Sequence, residues 1–151
     1  VQRGGAIEGT DYYQTLGADL AMNAAGDVMA IGSARPVVIY RYEGAAPGAA
    51  GGDWVQLGGG IPAEDEGNDD SGSALSLSDD GMTVAVGAPL NDASSSYVFA
   101  NRGSVRVLDY IDDAGWTQRG PDVNGRADKE EFGTRVALSG DGGTFIAGVR
   151  F

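Results

Sequence analysis

Residues 72–89 read GSALSLSDDGMTVAVGAP, and the same plan occurs at residues 17–32, GADLAMNAAGDVMAIG, and at residues 133–148, GTRVALSGDGGTFIAG. Each copy has a leading glycine, a short apolar alternation, a polar turn that ends in glycine, a second apolar run and a closing glycine. The leading glycines are at residues 17, 72 and 133, so they are 55 and then 61 residues apart. A period of this size is typical of a repeat architecture.

The two apolar runs of each copy predict a β-hairpin. The outer residues of the first run, such as Leu75 and Leu77, share one face at period two, as in a half-buried strand. The turn contains Asp80-Gly81 in the second copy, where glycine accepts a positive φ angle and aspartate tolerates one. No segment keeps apolar residues at helical spacing between caps, so we expect an all-β chain. The predicted hairpin strands are residues 20–22 and 28–31, 75–77 and 83–86, and 136–138 and 144–147.

Two more strands are predicted after each of the first two hairpins. Residues 37–40 and 105–108 predict a third strand, and a Trp-x-Gln-x-Gly motif predicts a fourth at Trp54 and at Trp116. Four antiparallel strands in each unit of roughly 40 to 60 residues are typical of a β-propeller blade. We therefore expect one β-propeller segment over residues 1–151. Its copies lie at approximately 1–53, 54–115 and 116–151, the last one incomplete.

About two and a half blades do not complete a ring, because propellers contain about four to eight blades. A partial ring leaves unpaired strand edges, which favour aggregation. We expect the chain to be a piece of a longer propeller. The alternative is that a partner closes the edges.

The repeat pattern closely resembles the FG-GAP-like repeats of β-propeller proteins. Phe132-Gly133 matches the FG element, and residues 87–89 match the GAP element. Residues 103–107 match the outer strand, and residues 116–120 match the closing strand. The first two copies depart from the pattern, because leucine and serine precede their leading glycines. The resemblance implies an extracellular, cell-surface or lumenal adhesion or scaffold module, and in integrin-like members some blades bind calcium in a D-x-D/N-x-D/N-G loop.

Composition excludes several classes of function. The formal net charge is −12, so the surface repels phosphate, which argues against nucleic acid and anionic membrane as partners. Without cysteine or histidine, the chain has no disulfide, no thiol chemistry, no Ser-His-Asp triad and no histidine metal ligand. No Gly-Lys-Ser/Thr phosphate loop is present. No apolar run reaches the 18 residues that would indicate a membrane-spanning helix.

Two loops supply candidate binding residues. The acidic loop at residues 64–70 contains hard oxygen ligands, and Asp65, Asn68 and Asp70 are candidate calcium ligands. The loop lacks the alternating spacing of a calcium motif, so the alternative is an ordinary solvated acidic loop. Residues 91–101 form an insertion with a Ser-Ser-Ser-Tyr tract, and such insertions often carry function. The candidate partner-contact residues are Tyr12, Tyr13, Ser95 and Tyr97.

The first hypothesis is a non-enzymatic module that presents loops to a protein or glycan partner. A second is a structural subunit of a filament or large complex whose strand edges are closed by neighbours. A third is an enzyme that uses a pair of acidic residues or an active site in blades outside this sequence. With 22 acidic residues, the sequence gives no reason to choose one pair. No cofactor is indicated beyond the calcium candidates.

Overall fold

The computed structural model describes residues 4–9, 15–33, 36–44, 51–64, 69–92 and 99–150. This part of the chain is all-β, as predicted, and it contains no helix with the length and hydropathy of a membrane crossing. The first sheet contains β1 (Leu20–Met22), β2 (Val28–Ile31), β3 (Val38–Glu43) and β4 (Asp53–Gln56). The second sheet contains β5 (Ala74–Leu77), β6 (Thr83–Ala88), β7 (Ser104–Ile111), β8 (Gly115–Gln118) and β9 (Val123–Asn124). A third hairpin contains β10 (Arg135–Leu138) and β11 (Phe145–Gly148).

The sheets are antiparallel meanders with the same register. The first has the order β1-β2-β3-β4, and the second has β5-β6-β7-β8 with β9 also paired to β7. Ala30 is paired with Ala21 on one side and with Ile39 on the other. The equivalent Ala85 is paired with Ser76 and with Val107. The third hairpin keeps this register through the pair of Ala137 and Ile146.

The hairpin turns are held by the same hydrogen bonds in all three copies. In the second copy, the Ser78 hydroxyl accepts the backbone N–H of Thr83 at 2.9 Å. Gly81, at φ 73°, donates its N–H to the Ser78 carbonyl at 3.0 Å. A left-handed angle of this kind favours glycine, which explains why the turn ends in glycine. Asn23 with Gly26, and Ser139 with Gly142, form the equivalent turns of the first and third copies.

Adjacent sheets are joined through equivalent backbone groups. Ala24 donates its N–H to the carbonyl of Asp79 at 3.2 Å, and Asp79 donates its N–H to the carbonyl of Gly140 at 2.8 Å. These three residues occupy the same turn position in successive copies. We refer to this series of two hydrogen bonds as the backbone ladder. It fixes how each sheet lies against the next.

Glycine allows the closest approach between copies. A Cβ atom on Gly32 would lie 2.1 Å from the carbonyl oxygen of Gly72, and a Cβ on Gly87 would lie 2.2 Å from that of Gly133. The closing glycine of one copy therefore contacts the leading glycine of the next, and any larger residue would collide with backbone there. This contact gives a physical reason for glycine at both positions.

The main hydrophobic core lies between the first two sheets. Val28, Ala30 and Ile39 of the first sheet pack against residues of the second, which include Leu75 and Val86. Burial of apolar surface is the dominant favourable contribution to folding, so this core stabilises the contact between the sheets. The other buried members of the cluster are Val37, Leu57, Ile61, Leu77, Val84 and Leu108.

Each predicted strand is present with small shifts at its ends, whereas β9 was not predicted. Leu75 and Leu77 are buried, as expected for a half-buried strand. In the first copy the equivalent Leu20 and Met22 are 66% and 57% exposed. Leu75 and Leu77 belong to the core cluster formed with the first sheet, and no described residue covers the same face of β1. The described residues do not form a closed ring, and the number of blades stays a prediction.

Candidate functional site

Two loop-bearing connections meet at one end of the second sheet. In an antiparallel meander, successive connections alternate between the two ends. The connection from β4 to β5 and the one from β6 to β7 share an end, where Leu90 donates its N–H to the carbonyl of Asp69 at 3.1 Å. The Asn91 amide also donates to Glu64 Oε2 at 3.0 Å. The acidic loop and the serine-rich insertion, which the sequence suggested separately, therefore start from one place.

Asp69 holds the ends of the acidic loop together. Its side chain is buried, with 1% exposed. One carboxylate oxygen accepts the N–H of Glu64 at 3.0 Å, and the other accepts the N–H of Ser71 at 3.1 Å. In the third copy, the equivalent Glu130 accepts the N–H groups of Arg126 and Ala127 on one carboxylate oxygen. This carboxylate is therefore a structural acceptor that recurs with the repeat.

Asp92 has the corresponding role in the serine-rich insertion. Its two carboxylate oxygens accept the N–H groups of Phe99 at 2.9 Å and of Asn101 at 3.1 Å. Phe99 and Asn101 have φ angles of 67° and 49°, which are unusual for residues other than glycine. The Phe99 side chain is 73% exposed. The insertion thus ends in a fixed backbone that presents an aromatic ring to solvent.

Most of the predicted site residues lie outside the described part of the chain. Asp70 is described: it is exposed, its φ angle is 55°, and its carbonyl accepts the N–H of Ser73 at 3.1 Å. Among the described residues, no three acidic side chains are grouped closely enough to hold a metal ion. Calcium binding and partner contact at these positions therefore stay predictions. The residues outside the described ranges are Asp65, Asn68, Tyr12, Tyr13, Ser95 and Tyr97.

The structure brings together an acidic pair that sequence reasoning did not select. Glu64 lies close enough to Asp122 for each carboxyl group to affect the other, and Asp122 accepts the Gln118 amide at 2.7 Å. Partial desolvation raises the pKa of Glu64, the neighbouring Asp122 raises it further, and the charge of Arg106 opposes both effects.

Arg106 is the second feature that the sequence analysis missed. It is only 7% exposed, although it carries a charge, and its Nη2 donates to the carbonyl of Pro62 at 2.8 Å and to Ser71 Oγ at 3.3 Å. Val38 occupies the equivalent position of the first copy and is also buried. An alignment of the first two copies would have indicated Arg106, because it stands where the first copy has a core valine.

Trp116 joins the second sheet to the segment that follows the first. Trp116 Nε1 donates to the carbonyl of Leu57, in the segment that follows the first sheet, at 2.8 Å. Its ring meets Tyr110 edge to face, with ring centroids 5.5 Å apart, and Trp54 meets Tyr42 in the same way at 5.4 Å. The two tryptophans therefore have a structural role, and the differences between copies lie at other positions.

Neither models of known protein families nor curated proteins give a significant match to this sequence. The resemblance to FG-GAP-like repeats rests on the residues quoted above.

Proposed function

We propose that this chain is a non-enzymatic interaction and scaffold module of the FG-GAP-like β-propeller type. Its two complete sheets and its third hairpin would be consecutive blades. A protein or glycan partner would bind at the end of the second sheet formed by Glu64, Asp69, Asn91, Asp92 and Phe99, which we call the loop face. The resemblance favours a cell-surface, extracellular or lumenal location for such a module.

The equivalence of the copies supports the assignment as blades. The registers of Ala30 and Ala85 are the same, and the backbone ladder joins each copy to the next through the same turn position. Stacked copies that contact only their neighbours are the general plan of repeat proteins. A constant step from sheet to sheet is what a ring of blades requires.

The observation that carries the binding proposal is the joining of two variable connections at the loop face. The connection between the second and third strands occupies residues 32–37 in the first copy and residues 89–103 in the second. Asp69 and Asp92 fix the ends of two loops, and the Asn91–Glu64 hydrogen bond ties the loops to one another. A rigid frame that positions variable loops is a common way of building a binding surface.

A binding screen with matched variants tests the proposal. The intact chain would be applied to arrays of glycans and of cell-surface proteins, together with the variants Phe99→Ser and Tyr97→Ala. Phe99 is exposed, so its replacement should leave folding intact while weakening binding. Ile111→Ser is the control, because Ile111 is also exposed but lies at the opposite end of β7.

The binding proposal requires that at least one array component bind the wild type and lose affinity with Phe99→Ser or Tyr97→Ala but not with Ile111→Ser. If Ile111→Ser lowered the affinity as much as the other two variants, the partner would not bind specifically at the loop face. No binding to any component of either array would count against an interaction module.

A structural subunit is the second candidate, because apolar side chains are exposed at both ends of the sheet series. Leu20 and Met22 are exposed on β1, and Ile146 is 71% exposed on β11. Exposed apolar patches often mark protein contacts. Sedimentation equilibrium over a range of concentrations distinguishes the two functions. Self-association that Leu20→Lys abolishes would support a subunit, whereas a monomer at all concentrations would not.

A further inference from the structure

A second surface feature lies at the junction of the first two sheets, beside the acidic loop. An open groove of about 310 Å³ separates the segment that follows β4 from the strands β7 and β8. This volume is at the lower end of the range of small-molecule sites. The residues that line it include Gly59, Gly60, Arg106, Leu108, Trp116 and Gln118.

The charge of Arg106 has no direct counter-ion in the described part of the chain. Its hydrogen-bond partners, the Pro62 carbonyl and the Ser71 hydroxyl, are neutral, and its Nε has no partner there. The two ion pairs of the described residues involve other arginines. The charge of Arg106 lowers the pKa of Glu64, but the two side chains do not form an ion pair.

Burying a charge without a partner is costly, so arginine at this position needs an explanation. The fold alone does not provide one, because Val38 fills the equivalent position of the first sheet. A guanidinium group pairs with a carboxylate through charge-assisted hydrogen bonds. Trp116 and Leu108 supply an apolar wall beside it.

We propose that this groove binds a small organic carboxylate, whose acid group pairs with Arg106 and whose carbon skeleton packs against Trp116. The carboxylate could belong to an acidic sugar or to the end of a peptide, since both carry the same group on a small skeleton. The proposal does not depend on the loop face, because none of the groove residues belongs to it.

Fluorescence of Trp116 provides the measurement. The Trp54→Phe variant leaves Trp116 as the single tryptophan of the chain. This protein would be titrated with glucuronate and with N-acetylglycine, and in parallel with their neutral counterparts glucose and N-acetylglycinamide. We expect saturable binding of at least one carboxylate and none of its neutral counterpart. The acid that binds identifies the source of the group.

Substitutions taken from the repeat itself provide the controls. Arg106→Val introduces the residue of the first copy and should weaken binding roughly tenfold or more, as expected for the loss of a charged hydrogen bond. Arg119→Leu also replaces an arginine by the residue at the equivalent repeat position, Leu57, but outside the groove, and should leave the affinity unchanged. Circular dichroism and urea unfolding would establish that each variant folds.

A second route keeps the test decisive if Arg106→Val does not fold. Gly59 lines the groove, and a Cβ placed on it would meet nothing within 4 Å. Gly59→Phe should therefore fill the groove and abolish binding while the fold persists. The proposal is wrong if neither carboxylate binds up to its solubility limit, if the neutral compounds bind equally, or if a folded Arg106→Val or Gly59→Phe protein keeps wild-type affinity.

Discussion

The junction between the first and second sheets and the junction between the second sheet and the third hairpin use one backbone frame with different side chains. In the first junction, a Cβ on Gly81 would lie 2.7 Å from the Val28 side chain, and Leu57 is buried in the same core cluster. Arg41 donates Nη2 to the sulfur of Met82, at 3.4 Å. At these positions the first junction is mainly apolar.

The second junction is polar at the equivalent positions. A Cβ on Gly142 would lie 2.8 Å from the Thr83 side chain, and Thr83 donates its hydroxyl to Asp109 at 2.9 Å. Arg119 donates Nε to the same carboxylate at 2.7 Å and Nη1 to the Gly142 carbonyl at 2.6 Å. Arg119, Leu138 and Phe145 also line a groove of about 160 Å³. The backbone geometry is therefore independent of whether apolar or ionic side chains fill the junction.

The largest effect should come from the glycines that both junctions share. Gly32→Ala and Gly87→Ala each place a methyl group about 2 Å from a carbonyl oxygen of the next copy. Because backbone must move to relieve the overlap, each should lower the free energy of unfolding by roughly 3 kcal/mol. Urea unfolding measures the loss, with Gly59→Ala as the unstrained control. A small effect at one junction only would show that the two frames are not equivalent.

A smaller effect, limited to the apolar junction, is expected from Leu57→Ala. The side chain is 7% exposed, so its truncation removes buried apolar contacts and leaves a cavity. The expected cost is about 2 kcal/mol, at the lower end of the range for such substitutions. The same urea titrations measure it, and the result should not depend on salt. Strong salt dependence would contradict the apolar assignment.

Arg119→Leu should cost less than Leu57→Ala, about 1 kcal/mol or below, because the side chains of the Arg119–Asp109 pair are 45% and 31% exposed. The cost should shrink as sodium chloride screens the pair in the wild type. A double-mutant cycle with Asp109→Asn isolates the coupling between the two side chains. A coupling of zero at low salt would mean that the pair does not stabilise the second junction.

The smallest effects are opposite responses to acid. The hydrogen bond from Arg119 lowers the pKa of Asp109 from 3.8, so its contribution to stability is present above that pH and is lost as pH falls through the lowered pKa. Desolvation and Asp122 raise the pKa of Glu64 from 4.5, so its contribution falls as pH rises from 4.5 through the raised pKa.

Urea unfolding over a pH series measures both responses. The difference in the free energy of unfolding between wild type and Asp109→Asn should shrink as the solution is acidified. Glu64→Gln should gain stability relative to wild type as pH rises above 4.5, the usual pKa of the carboxyl group. Parallel pH profiles for the two variants would contradict the opposite signs.

Local patterns were sufficient to predict the strands but not the site. Asp80-Gly81 and the alternation at Leu75–Leu77 depend on neighbouring residues, so they can be recognised in one copy and checked against the others. Glu64 and Asp122 lie close together only because the second sheet, which is between them in the sequence, folds as an antiparallel meander. The burial of Arg106 similarly depends on Pro62 and Ser71, which belong to the segment between sheets. Only the mismatch between Arg106 and Val38 was visible in the sequence.

The backbone ladder gives the chain a direction. At both rungs the earlier copy donates, through Ala24 and Asp79, and the later copy accepts, through Asp79 and Gly140. Each unit therefore has a donating side and an accepting side, so neighbouring copies join in only one relative orientation. Tandem duplication of a gene segment preserves that orientation. An ancestral protein could thus have gained units one at a time while the side chains of each junction diverged, as those at Leu57 and Arg119 have done.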